Sequence, residues 1–198
     1  MLSEILNELN ESLTLIISQT KMNWPILAGM VCVLWGVFLV TSLNKGLLHL
    51  GIIPRRWYGL PGVFFAPFLH ADFNHVFFNT IPLLVLSNFL LIHGLIYFLV
   101  ATLLITFISG VLIWCFAKPG IHIGASALIT GYWGLLVSDI YQQGTFTAII
   151  LGFISVYYFA GIFYGVFPGK KGVSWEGHLF GLLAGLGTSY LLPNLIVM

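Results

Sequence analysis

Charged residues make up only 7% of this 198-residue sequence, and the seven Lys and Arg nearly cancel the six Asp and Glu. A soluble domain carries roughly 25% charge, so a soluble globular fold is excluded. The near-neutral balance also gives no basis for nucleic-acid binding or strong electrostatic steering. Cysteine is almost absent: Cys32 and Cys115 both fall inside apolar runs, where a small buried hydrophobe is a simpler assignment than a disulfide. Residues 1–20 lack the basic start and small-residue cleavage site of a signal peptide. No internal repeat or low-complexity segment is visible. No His-Glu-x-x-His occurs. That argues against a metal site, and no cofactor is expected.

What is abundant is apolar: 59% of residues are hydrophobic and the mean hydropathy is +1.03. An integral membrane protein follows. In residues 1–20, Glu4, Glu8 and Glu11 alternate with Leu2, Ile5, Leu6, Leu9 and Leu13 at helical spacing, which predicts an acidic amphipathic N-terminal segment over 1–21. A membrane domain then occupies 22–198. Since about 20 apolar residues cross a bilayer, Trp24–Leu43 is the first span. Residues 44–72 carry Arg55, Arg56, Pro54, Pro61 and Pro67 together with Trp57, Tyr58, Phe64, Phe65 and Phe68. Aromatics of that density predict a first loop dipping partly into the membrane interface. Phe73–Ala117 has no formal charge, enough for two spans near 74–92 and 95–117 with a tight turn at His93-Gly94. Lys118-Pro119-Gly120 breaks the chain. Span four begins at Ser126 and runs to about Asp139, span five covers Thr145–Phe167, Gly169–Gly172 turn, and span six runs from Gly177 to about Ile196. The expected fold is an all-α membrane protein, a bundle of six transmembrane helices.

Span four is short. About 14 residues at ~1.5 Å each reach roughly 21 Å, against a hydrocarbon core of ~30 Å. The chain must cover the rest in irregular form, which is tolerated only where it is buried in protein or lines a wet cavity. Segment 119–125 is therefore expected to descend into the bundle and deliver Ser126 below the surface.

Polar side chains converge on the same level. The loops 44–72, 118–125 and 168–175 lie on one side of the membrane, and each leads into an even-numbered span. The first turns of those spans hold His75 and Asn79, Ser126, and His178. His75 and Asn79, four apart, share a helix face. Gly177, Gly181 and Gly185 on span six, with Gly131 and Gly134 on span four, permit close backbone approach. A serine hydroxyl needs a base, and neutral histidine serves near pH 7. Ser126 with His178 supplies nucleophile and base. His75, Asn79 and the Ser126 backbone N–H supply donors for an oxyanion. Asp72, Asp139 and Glu176 all sit at helix ends, so the expectation is a dyad rather than a triad.

These residues resemble the rhomboid family of intramembrane serine proteases. The matching elements are His70-x4-His75-x3-Asn79, Gly124-x-Ser126 and Gly177-His178-x-x-Gly181, in family order over about residues 24–196. Gly51-Ile52-Ile53-Pro54-Arg55 and Pro67-Phe68-Leu69-His70 are similar to the first loop of many bacterial members. The resemblance implies Ser126 as nucleophile, His178 as base, His75 and Asn79 as oxyanion-stabilising residues, and transmembrane segments of other proteins as substrates. It also implies a bacterial cell-membrane location, a site facing the extracytoplasmic side, and a lateral gate in the span-five region. Three departures accompany it. Ala127 stands where the family usually has glycine. Thr130 stands where it has an aromatic stacked on the base. Arg56-Trp57 reverses the order of the usual first-loop pair. Lys45, Arg55, Arg56, Lys118, Lys170 and Lys171 lie on the active-site side, so the positive-inside rule points the opposite way. The departures motivate an alternative, a rhomboid-like protein that binds transmembrane clients without cutting them. A transporter would need a polar path through the whole membrane, and the far ends offer only Ser87, Asn88, Ser138 and Asp139. His70 reads as a structural donor, and His49, His93 and His122 as interfacial residues.

Overall fold

Each apolar run becomes a helix, and the computed structural model describes residues 2–167 and 174–195. Six helices of 14 residues or more follow one another: α1 (Leu2–Leu43), α2 (Phe73–Ile92), α3 (Leu95–Phe116), α4 (Ser126–Gln142), α5 (Phe146–Phe159) and α6 (Trp175–Leu195). No strand occurs among the described residues; a single bridge pairs Ile52 with His122. Three helices, α1, α2 and α3, are long and apolar enough to cross a membrane by length and composition. The protein is an all-α, multi-pass membrane bundle. The turn expected at Gly169–Gly172, with Lys170 and Lys171, lies outside the described residues.

The boundaries have local causes. Asp72 caps α2 by accepting the His75 N–H at 2.9 Å, a typical N-cap contact worth about 1 kcal/mol. Gly94, at φ +109°, turns the chain between α2 and α3 in a region that L side chains rarely enter. The amphipathic N-terminal segment and the first span form one continuous helix of 42 residues with Pro25 inside it. At ~1.5 Å per residue that is about 63 Å, twice the hydrocarbon thickness. From Thr20 onward it is pinned to α2 by Asn23 donating to Asn88 (3.1 Å), Asn88 donating to Thr20 (2.9 Å) and Trp35 donating to Thr80 (3.1 Å). The first half runs on past the far end of the bundle, where Glu8, Glu11 and Leu15 share a groove with Gly144–Thr147.

Two boundaries differ from expectation. Helix α4 continues to Gln142, giving 17 residues and about 25 Å, one turn longer than expected yet still short of ~30 Å. The fifth span does not run unbroken to Phe167. Helix α5 stops at Phe159, and a separate single turn covers Gly161–Tyr164. Gly161 opens that turn and Gly165 follows it, and each is about 1 kcal/mol less helix-favouring than alanine.

The closest packing is between α4 and α6. A Cβ at Gly181 would collide with the Ala127 carbonyl, and one at Gly185 with the Gly131 carbonyl. The glycine face anticipated on span six is therefore the helix–helix seam, carried by Gly181 and Gly185. Gly177 has room for a Cβ. Loop 44–72 folds into short helical turns with Trp57, Tyr58, Phe64 and Phe65 exposed. It is stitched to α3: Arg55, at φ +57°, donates its guanidinium to the Cys115 carbonyl (3.1 Å) and the Ala117 carbonyl (2.8 Å). Those are carbonyls at the helix end, where no intrahelical partner exists.

Candidate active site

Three helix starts build the site. Helix α2 places His75 and Asn79 one turn apart, with Asn79 buried. Helix α4 begins at Ser126, after Gly124 has turned the chain at φ +109° and donated its N–H to the Ala66 carbonyl at 2.8 Å. Only glycine fits there, because a Cβ would lie 2.5 Å from His75 Nε2 and 3.5 Å from Asn79 Nδ2. The irregular segment thus passes directly over the two α2 side chains, as the shortness of α4 demands. Helix α6 begins at Trp175, with the Ser174 hydroxyl accepting the Gly177 N–H at 3.2 Å, and presents His178 in its first turn.

Ser126, His178, His75 and Asn79 all line one cavity of about 550 Å³. All four residues expected at the site are brought together. The Ser126 and His178 side chains make no direct hydrogen bond. Catalytic contacts in unliganded sites are often long and tighten only with substrate. Ser126 is the first residue of its helix, so its N–H and the next ones have no intrahelical acceptor and point, with the helix dipole, toward developing negative charge.

The carboxylates do other work. Asp72 caps α2. Asp139 is buried at the opposite end, receiving hydrogen bonds from Tyr97 and Gln143. Glu176 lies near Lys118 and 3.4 Å from the Ser174 hydroxyl. None touches His178, whose Nδ1–H donates instead to the Gly165 carbonyl at 2.9 Å. Among the described residues no group of three or more His, Cys, Asp and Glu side chains could hold a metal.

Three further residues complete the site. His70 is fully buried; its Nδ1–H donates to the Phe68 carbonyl (3.3 Å), and its Nε2 accepts from Asn79 (3.0 Å) and from the Ala125 N–H (3.5 Å). Burial, with the neighbouring His75 adding to it, pushes the ring down to about 4, which keeps Nε2 an acceptor. His122 lines the cavity rather than lying apart at the interface. Its Nε2–H donates to the Lys118 carbonyl (2.9 Å), its Nδ1 is 3.0 Å from the Ser174 hydroxyl, and its backbone pairs with Ile52. Ring and backbone of His122 together therefore tie three loops. Gly165 is the third. Thr130 turns its hydroxyl back to the Ser126 carbonyl at 2.7 Å, and Tyr132 is buried against Thr102.

Fold and site together define a helical membrane protein that gathers a serine, two histidines and an asparagine from three helix starts into one cavity. The chain belongs to the rhomboid family: the family model of the Rhomboid domain matches residues 54–194. Uncharacterised proteins of Mycobacterium bovis and Mycobacterium tuberculosis are each 39% identical over 173 residues, covering 82% of this chain and 72% of the relative. An uncharacterised protein of Mycobacterium leprae is 37% identical over 141 residues, covering 66% of this chain and 55% of the relative.

Proposed function

We propose that this protein is an intramembrane serine endopeptidase that cuts peptide bonds in or near the transmembrane segments of other proteins. The observation that carries this reading is the shared cavity of Ser126, His178, His75 and Asn79. His178 Nε2, left unprotonated by the Nδ1–H bond to Gly165, takes the proton of the Ser126 hydroxyl as Oγ attacks the scissile carbonyl. The oxyanion is met by the second N–H of the Asn79 amide, by the His75 ring and by main-chain N–H groups at the start of α4. The imidazolium then protonates the leaving amine. Water from the cavity hydrolyses the acyl-enzyme, with His178 as base again. No cofactor takes part.

The site faces the extracytoplasmic side of a bacterial cell membrane in this reading, and two of the charges that argue otherwise are tied into the fold. Arg55 is spent on the α3 carbonyls, and Lys45 donates to the Ala71 carbonyl at 2.7 Å. Labelling by a fluorophosphonate-type probe and cleavage of a model transmembrane substrate in detergent should both vanish in Ser126→Ala, and cleavage in His178→Ala. An unlabelled wild type that still binds the substrate would instead establish the non-cutting client binder, to which Ala127 and Thr130 point.

A further inference from the structure

We infer that the main-chain carbonyl of Gly165, at the broken end of the fifth span, is the group that orients His178. This rests on the reading of His178 as the base, and it assigns Gly165 as a positioning residue.

A histidine base works only when the ring is held still and its proton sits on the nitrogen that faces away from the nucleophile. A carboxylate ordinarily does both. Here no described carboxylate meets the ring: Asp72 caps α2, and Glu176 lies beside Lys118 and Ser174. The α4 position from which the resemblance implies a stacking aromatic is Thr130, which has no ring and bonds the Ser126 carbonyl.

What touches Nδ1 is the Gly165 oxygen, at 2.9 Å. A carbonyl can only accept, so Nδ1 carries the proton and Nε2 is the free lone pair. That oxygen is available because the helix has stopped. Gly165 falls in the last turn of the apolar run that ends at Phe167, where a helix carbonyl has no intrahelical N–H to meet. Past the single turn Gly161–Tyr164, with the Gly165 N–H closing on the Ile162 carbonyl at 3.0 Å, it is left for His178. The residue must also be glycine, since a Cβ would lie 2.5 Å from His178 Nδ1 and 2.9 Å from Cε1. Glycine and missing ring thus have one explanation: the main chain replaces the absent side-chain orienter.

The test uses the full chain in detergent micelles, labelled with 15N-histidine and 13C-carbonyl glycine, with the His178 signals assigned by their loss in His178→Asn. The wild type should show the Nδ1–H tautomer and a coupling through the hydrogen bond from His178 Nδ1 to the Gly165 carbonyl carbon. Gly165→Ala should lose both signals, and its kcat should fall at least tenfold with KM little changed. Gly161→Ala lies in the same turn, where a Cβ meets nothing within 4 Å, and should keep both signals and the wild-type kcat. A wild-type ring protonated on Nε2, or a Gly165→Ala protein that keeps the Nδ1–H tautomer while losing activity, overturns the proposal. If Gly165→Ala does not fold, the wild-type coupling alone decides, its absence being fatal. The spectra need no substrate, so a wild type without Ser126-dependent cleavage strikes at the protease reading separately.

Discussion

Asn79 donates its side-chain amide to Nε2 of His70 at 3.0 Å, across the junction between the first loop and α2. The same nitrogen receives the Ala125 N–H, one residue before the nucleophile. One fully buried imidazole therefore sets the rotamer of a proposed oxyanion donor and the position of the α4 start. It also fixes which way the Asn79 amide faces, because only the NH₂ end can donate to it.

His70→Phe keeps much of the ring volume and removes that acceptor. Two buried donors are left unpaired, each costing about 1–3 kcal/mol, so the variant should lose roughly 2–6 kcal/mol of stability in detergent unfolding. Turnover should fall about 10²-fold, the usual consequence of displacing one oxyanion donor. Thermal unfolding and cleavage assays on the same preparation check both, and unchanged stability would contradict the role assigned to His70.

Acid should destabilise the protein through the same residue. Above pH 6.5 the His70 ring is neutral in folded and unfolded chains alike. Between 6.5 and about 4 the unfolded chain takes up a proton that the buried ring refuses, so stability falls with pH and levels off below the folded value. At 1.36 kcal/mol per unit, about 3 kcal/mol is lost over that window. His93, at the far end of α2, is also pushed down to about 4 by burial and adds to the slope. His70→Phe should flatten the profile partly, leaving the His93 share; a variant as acid-sensitive as the wild type would exclude His70 as a source.

The seam between α4 and α6 gives a stability prediction independent of catalysis. Gly181→Ala and Gly185→Ala each drive a methyl into a facing carbonyl, and overpacking of this kind costs typically 1–3 kcal/mol. Because backbone rather than a flexible side chain must give way, each should sit at the upper end of that range. Gly187→Ala, with open space at the Cβ, should be neutral or slightly stabilising by helix propensity. Denaturation of the three variants in one detergent makes the comparison.

Much of the site was legible because polar residues in a chain with so little charge are conspicuous. His75, Asn79, Ser126 and His178 stood out at the starts of apolar runs, and their common level followed from alternating loops. The shortness of α4 announced the descent of Gly124 into the bundle. What stayed hidden has a physical reason in each case. The Gly165 carbonyl belongs to the main chain and leaves no residue-type signal. The break after Phe159 contains no proline, so an apolar run through Phe167 reads as continuous. His122 acts through contacts with Ser174, 52 residues away, which no local pattern encodes. The junction at Lys21 and Trp24 hides the opposite surprise, since neither charge nor Pro25 interrupts the 42-residue helix.

The last prediction concerns what the site accepts. Beneath Ser126 lies a second cavity of only about 40 Å³, lined by Val63, Ser109, Ile113, Gly124, Ala127 and Gly177 among others. Its lining is closely packed: a Cβ at Gly110 would already lie 2.6 Å from the Val63 side chain. A group the size of a methyl fits without displacing anything, and a branched or aromatic side chain does not. If the residue contributing the attacked carbonyl places its side chain there, substrates with Ala, Ser or Gly at that position should be cut. Val, Leu or Phe should slow kcat/KM by tenfold or more, as one or two unaccommodated methylenes cost about 1–3 kcal/mol. Ile113→Ala enlarges the space from the α3 side and should recover Val or Leu substrates more than it affects Ala substrates. Equal cleavage of Ala and Phe substrates by the wild type would show that the substrate side chain lies in the larger, open cavity instead.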